Sequence, residues 1–263
     1  MACRLLGDCV DTVSLFEPMD VMTLPTDEAP ALVEIATFFS RTREGLLRDG
    51  RAASKHAGGI VPDNPFGPPD ALGRRTPLVA PGWIEVPRPS PDFTMVVKHN
   101  AAFAALLPEL ASRFETYAVV RNPVAALGSW WSLDLPVSRG RAPAGERLDP
   151  SLQARLDACA TEGERRLILM DWFFARFATL PPERVLRYED IVASSGAALY
   201  AATGLVPRIC PQLESRNASR DYPLERDPRT VDALLEHEGA WTRWYDRDEL
   251  ARVAGARNGI AGG

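Results

Sequence analysis

Apolar positions along the 263-residue chain follow two rhythms in alternation. Short β-type runs occur at 13–16 (VSLF), 93–98 (FTMVVK), 116–120 (TYAVV) and 185–188 (VLRY). Between them, apolar residues recur at helical spacing. Leu32, Ile35, Ala36, Phe39, Leu46 and Leu47 form one stripe over 29–47. Further helices are expected over 101–114, with Pro108 bending or breaking it, and over 123–132. One long helix is expected over 151–179, its second half (LILMDWFFARFA) crossing the core. Residues 1–10 read as the tail of a helix, without a cap. A helix to about 203 ends at Gly204, and two short helices are expected near 231–238 and 241–253. Residues 133–150 and 207–228 read as polar loops, the second carrying Arg208, Arg216 and Arg220. Residues 54–91 are rich in Pro and Gly and lack periodicity, which means a functional lid or a poorly ordered stretch. Strands alternating with helices imply an α/β fold with a parallel sheet in a single domain, although four strands are few for a doubly wound fold of this size.

One stretch carries more chemistry than the rest. The run at 116–120 ends on Arg121. Asn122 and Pro123 follow, a helix N-cap and a first-turn proline, and Ser129 lies two turns into the helix. Open α/β sheets bind ligands at the C-terminal ends of their strands. A guanidinium there forks phosphate oxygens in a bidentate way. The same spacing also suits an ordinary βα turn whose arginine makes a surface ion pair.

Composition narrows the alternatives. A hydrophobic content of 46% supports a real core, and a net charge of −5 argues against nucleic acid as the main partner. Basic residues are nearly all arginine, Lys55 and Lys98 being the two lysines. Cys3, Cys9, Cys159 and Cys210 form no CxxC pair and, with three histidines, give no zinc spacing. No metal site is expected. A reducing cytoplasm is the default compartment, and no apolar run reaches transmembrane length.

Four segments, in order, resemble sulfotransferases that use 3′-phosphoadenosine 5′-phosphosulfate. FETYAVVRNPVAALGSWW is similar to their 3′-phosphate-binding segment. SLFEPMDV resembles the Phe-Glu-Pro segment of the carbohydrate-type and bacterial members. MVVKHNAAFAALLPEL resembles the strand and helix before the 3′-phosphate segment, and RVLRYEDIVASSGAALYAATGL the late strand and helix. Together they cover about residues 1–220. The resemblance implies a three-layer α/β/α fold of the P-loop nucleotide-hydrolase type. It also implies sulfuryl transfer from that nucleotide to a hydroxyl or amine on a small-molecule or carbohydrate acceptor.

The resemblance also assigns roles. Arg121 and Ser129 would hold the 3′-phosphate, and Arg216 would close over it or remain a solvated loop arginine. Glu17, at a strand end, is the leading candidate for general base, with a pKa raised by burial beside Phe16 and Pro18. His99 competes for that role, although it follows Lys98 directly where the cytosolic members space lysine and histidine by one residue. Lys98 would neutralise sulfate charge or anchor the turn. Arg187, Tyr188, Glu189 and Asp190 read as structural, a carboxylate capping the next helix and the arginine pairing across the sheet. Trp83 and Phe66 make residues 54–91 the expected acceptor lid. The family opens with a strand and a loop that cradles the 5′-phosphosulfate. The segment at Met1–Leu6 instead resembles the helix after that loop, and Lys55 with Gly58–Gly59 is not a substitute, since no strand is expected before it. The first strand and loop are therefore expected to be missing and the activity low. The alternative is an inactive nucleotide-binding remnant of the same fold. A phosphoryl-transferring kinase is disfavoured by the lack of a Walker-type loop. Nothing in the sequence sets the oligomeric state.

Overall fold

The computed structural model describes residues 1–258 apart from 218, 220, 221 and 223, so Arg220 lies outside the described residues. Helix α1 (Ala2–Gly7) leads into strand β1 (Thr12–Phe16), and α2 (Glu28–Asp49) follows. Gly50 closes α2 in the left-handed conformation at φ 68°. The Pro/Gly-rich stretch is built, not loose. It contains β2 (Arg51–His56), β3 (Phe66–Pro69), β4 (Arg75–Pro77) and β5 (Ala80–Glu85). β2 pairs antiparallel with β5, and β3 with β4. Alternation was hidden there because proline and glycine occupy ladder positions, with Ser54 opposite Gly82 and Lys55 opposite Pro81.

Next come β6 (Thr94–Lys98), α3 (Ala101–Ala105) and α4 (Leu107–Arg113), broken at Leu106 because Pro108 has no N–H to donate to the carbonyl of Ala104 and fits only in the first turn of a new helix. β7 (Ala118–Val120) and α5 (Pro123–Trp131) form the expected strand–turn–helix. The polar stretch after it holds a 3₁₀ turn and α6 (Pro143–Leu148). The single long helix expected over 151–179 is two, α7 (Pro150–Asp157) and α8 (Glu162–Phe177). A capping box between Thr161 and Glu164 starts the second, since each side chain satisfies the other's backbone N–H. β8 (Val185–Arg187), α9 (Tyr188–Ala193) and α10 (Ala197–Thr203) follow, and Gly204 ends α10 at φ 66° as expected. α11 (Pro228–Glu236) and α12 (Arg247–Asn258) complete the chain.

The molecule is thus mixed α/β with small sheets, some of them parallel. All four strands read from the sequence form. They pair as two parallel ladders, β1 with β6 and β7 with β8, instead of one central sheet. Among the described residues no backbone ladder joins the two pairs. Apolar packing bridges them: Leu5, Leu6 and Cys9 share one cluster with Ile191 and Leu199, against which Val96 of β6 and Leu186 of β8 both pack. The largest cluster joins β7 and β8 to α5, α8, α11 and α12 through Val120, Val185, Leu127, Met170, Leu234 and Leu250. No helix among the described residues is long and apolar enough to cross a membrane.

Candidate functional site

Both parallel pairs end their strands in charged residues. At the end of β7, Asn122 caps α5, its Oδ1 accepting from the backbone N–H groups of Val124 and Ala125 at 3.0 and 3.4 Å. The turn is held from below by Glu189. Its Oε1 accepts from the Asn122 backbone N–H at 3.0 Å and from Asn217 Nδ2 at 2.6 Å, and its Oε2 accepts from the Tyr245 hydroxyl at 2.6 Å. Burial and the neighbouring Glu189 carboxylate push the Tyr245 phenol far above its ordinary value, so it stays a donor. Glu189 is structural, as expected, but it braces α5 and does not cap α9. Arg187 pairs with Glu249 of α12, not across the sheet.

Arg121 rises from this platform. Its Nε donates to Asn217 Oδ1 at 2.8 Å and its Nη1 to the Tyr222 hydroxyl at 3.1 Å. The guanidinium carbon lies 4.7 Å from the Tyr188 ring centre and 5.3 Å from that of Tyr222. Its Nη2 is buried and has no partner among the described residues. Ser129 lies close enough to the same Tyr222 hydroxyl to help lower its pKa. The structure therefore brings Arg121 and Ser129 to one point, through a tyrosine 95% or more buried (4% exposed) that sequence reasoning missed. Burial alone would raise the Tyr222 phenol. The charge of Arg121, its hydrogen bond and the nearby Ser129 hydroxyl outweigh it and lower the pKa.

Arg216 does not close over Arg121. Its guanidinium turns to Asp63 at 3.4 Å, and only its backbone N–H faces the Arg121 platform, donating to the Tyr188 hydroxyl at 3.0 Å. The neighbouring Asn217 makes the contact to Arg121 instead. Asp63 is shared between Arg216 and the Met1 amine, the latter 3.5 Å away.

The second pair ends at Glu17 and Lys98, which the β1–β6 register places one step beyond Phe16 and at its level. Glu17 N–H donates to Lys98 O at 2.8 Å. The carboxylate takes Lys98 Nζ at 3.0 Å on one oxygen and Lys55 Nζ at 2.7 Å on the other, with Asn100 Nδ2 at 3.4 Å. Both lysines of the chain thus converge on one carboxylate. Lys55 does lie on a strand, β2, contrary to expectation. Glu17 has φ 45°, in the left-handed region that a side chain disfavours. Burial would raise its carboxyl, as expected from the sequence. The charges and hydrogen bonds of Lys98 and Lys55 overturn that and hold it at about 2. Burial lowers Lys98 against the pull of Glu17. His99 is a turn histidine. Its Nε2 accepts from the Met19 N–H at 3.3 Å, its ring lies 4.8 Å from Phe103, and burial lowers its pKa to about 4.

A separate cleft of about 500 Å³ opens past the C-terminal end of α5, lined in part by Arg74, Trp131, Arg166 and Arg226. It contains none of the site residues read from the sequence. Trp83 is exposed on β5, while Phe66 packs beneath Arg75. No family model matches the chain, and no curated protein or solved structure matches it.

Proposed function

We propose that the chain binds a 3′-phosphorylated adenine nucleotide at the strand ends and acts as a sulfotransferase, with 3′-phosphoadenosine 5′-phosphosulfate as donor and a hydroxyl or amine as acceptor. The observation that carries this reading is the convergence of Arg121 and Ser129, with one buried guanidinium nitrogen of Arg121 left without a partner among the described residues. A buried N–H of that kind favours an anionic acceptor, since leaving it unpaired costs about 1–3 kcal/mol. The residues present fit the 3′-phosphate: the unpartnered Nη2 of Arg121 and a hydroxyl from Ser129. The three-layer sulfotransferase arrangement belongs to the same reading.

Sulfuryl transfer would proceed in line. The acceptor oxygen forms a bond to sulfur as the bond from sulfur to the 5′-phosphate oxygen breaks, and adenosine 3′,5′-bisphosphate leaves. Lys98 and Lys55 neutralise the charge on the transferred group. Glu17 takes the acceptor proton. As the nucleotide's anionic groups compete for the two lysines, Glu17 loses the charges that depress it, and its pKa climbs toward what burial alone sets.

A second reading is favoured by a specific observation. Glu17 near 2 and His99 near 4 are both weak bases as they stand. A protein that binds the nucleotide without transferring sulfate would look the same. Release of adenosine 3′,5′-bisphosphate from the donor, followed with a panel of hydroxyl and amine acceptors, separates the two. The transferase reading expects turnover by the wild type that Glu17→Gln removes without weakening donor binding. Donor binding with no turnover on any acceptor supports the binding protein.

A further inference from the structure

The β2–β5 ribbon has two unlike faces. In an antiparallel pair, opposed residues share a face, and successive residues alternate between faces. Ala52 and Ile84, opposite each other, are buried in one cluster with Val13, Leu15 and Phe93. Ser54 lies on the same face, and its Oγ accepts from the Phe16 N–H at 3.0 Å. The other face carries Arg51, Ala53 and Lys55 of β2 against Glu85, Trp83 and Pro81 of β5, opposed in that order. Lys55 is the lysine that reaches Glu17 at 2.7 Å.

Trp83 stands one ladder step from that lysine. It opposes Ala53, so it is the diagonal neighbour of Lys55, a relation that separates side chains by about 7–8 Å. At 62% exposed, it is the only exposed aromatic residue among the described residues. The Arg51 guanidinium carbon lies 5.0 Å from its ring centre, and most of the indole stays open. Ala53 and Pro81 bring no polar side-chain atom to this face. An apolar shelf with an indole on it therefore ends at the cluster of Glu17, Lys55 and Lys98.

The cluster narrows the hydroxyl that could react there. Glu17, held at about 2, and His99, at about 4, are weak bases. A phenol gives up its proton at about 10, whereas an alkyl hydroxyl is as reluctant as water, at about 16. Two lysine charges beside the reacting oxygen favour its ionised form. An aromatic ring also presents the flat apolar face that an exposed indole stacks against.

We propose that the acceptor is an aryl hydroxyl, its ring stacked on Trp83 and its oxygen placed at Glu17 beside Lys55 and Lys98. This rests on the transferase reading given above and narrows its acceptor to a phenol. The phenolic oxygen bonds to sulfur as the bond from sulfur to the 5′-phosphate oxygen breaks. The phenolic proton passes to Glu17, and an aryl sulfate and adenosine 3′,5′-bisphosphate leave. Trp83 sets acceptor specificity without touching the donor.

The test offers phenol, cyclohexanol, cyclohexylamine and methyl glucoside, each with 3′-phosphoadenosine 5′-phosphosulfate, to wild type, Trp83→Ala and Trp83→Phe. Release of adenosine 3′,5′-bisphosphate gives the kinetic constants. Phenol is expected to exceed cyclohexanol, which matches it in size, by at least about tenfold in kcat/KM. Loss of the stacking ring should raise the KM for phenol about tenfold in Trp83→Ala, with the KM for the donor held within about twofold. Trp83→Phe keeps a ring and should recover most of the loss; it carries the test if Trp83→Ala does not fold. A phenol KM that both variants leave unchanged overturns the proposal. So does turnover of cyclohexanol, the amine or the glucoside that equals or exceeds that of phenol, and either result leaves the transferase reading standing. Donor binding with no turnover of any acceptor overturns both.

Discussion

Glu17 and His99 sit side by side at the end of the β1–β6 pair, and each departs from its ordinary acidity for a different reason. The backbone of Glu17 is held in a conformation costing about 1–3 kcal/mol for a side-chain-bearing residue, and its carboxylate gathers Lys55 and Lys98. Strain kept in this way is a mark of a functional position. His99 is lowered from 6.5 to about 4 by burial, so the folded state holds the neutral ring. The unfolded chain binds that proton more readily. Stability from His99 is therefore full above pH 6.5 and is lost as pH falls toward 4. Glu17, at about 2 against 4.5, adds a second loss between pH 4.5 and 2. The midpoint of thermal unfolding measured against pH should fall between pH 6.5 and 4.5 in wild type, and should be flatter over that interval in His99→Gln. Parallel curves for the two proteins would show that His99 is not held neutral. From the sequence, the scarcity of lysine pointed to Lys98. It did not reveal Lys55 as its companion, because the antiparallel pairing that delivers Lys55 to Glu17 is set by β5, where Pro81 stands opposite Lys55 in a stretch without alternation.

At the scale of elements, the strand–turn–helix of β7 and α5 was legible because its signals are local: a β-branched run, an N-cap asparagine and a first-turn proline. The break at Leu106 was legible from Pro108, but the one in the longest expected helix, 151–179, was not. Thr161 to Glu164 is a capping box that the sequence does contain, but the apolar stripe ran across it. The companions of Arg121 were invisible for a different reason. Asn217 and Tyr222 lie about a hundred residues downstream in a polar loop, and only tertiary packing places them on α5. Gly128 is the contact that allows it. A Cβ there would stand 2.8 Å from Tyr222 Cβ and 3.0 Å from Leu224 Cδ2. Replacing a mid-helix glycine by alanine ordinarily gains about 1 kcal/mol. In Gly128→Ala that gain should be cancelled by displacement of Tyr222, with adenosine 3′,5′-bisphosphate binding weakened several-fold, at least about threefold. Unchanged affinity in a folded, stabilised variant would remove Tyr222 from the site.

For the whole molecule, four strands form where the sequence placed them, and among the described residues they pair as two separate parallel ladders. Strand existence follows from short apolar runs, whereas strand pairing depends on what lies between the ladders. Here α1 packs across both parallel pairs through Leu5 and Leu6 where a backbone ladder was expected. The consequence is two charged strand ends, one carrying Glu17 with its lysines and one carrying Arg121. That layout suits a ligand with anionic groups at two separated points, as a 3′-phosphorylated nucleotide has. The most direct test is calorimetric titration of the wild-type chain and Arg121→Ala with adenosine 3′,5′-bisphosphate, with AMP as the control ligand. The account predicts binding in the micromolar range, at about −8 kcal/mol, that is lost on removing either Arg121 or the 3′-phosphate. Equal affinity for the two nucleotides, or no binding by a folded wild-type chain, would contradict it.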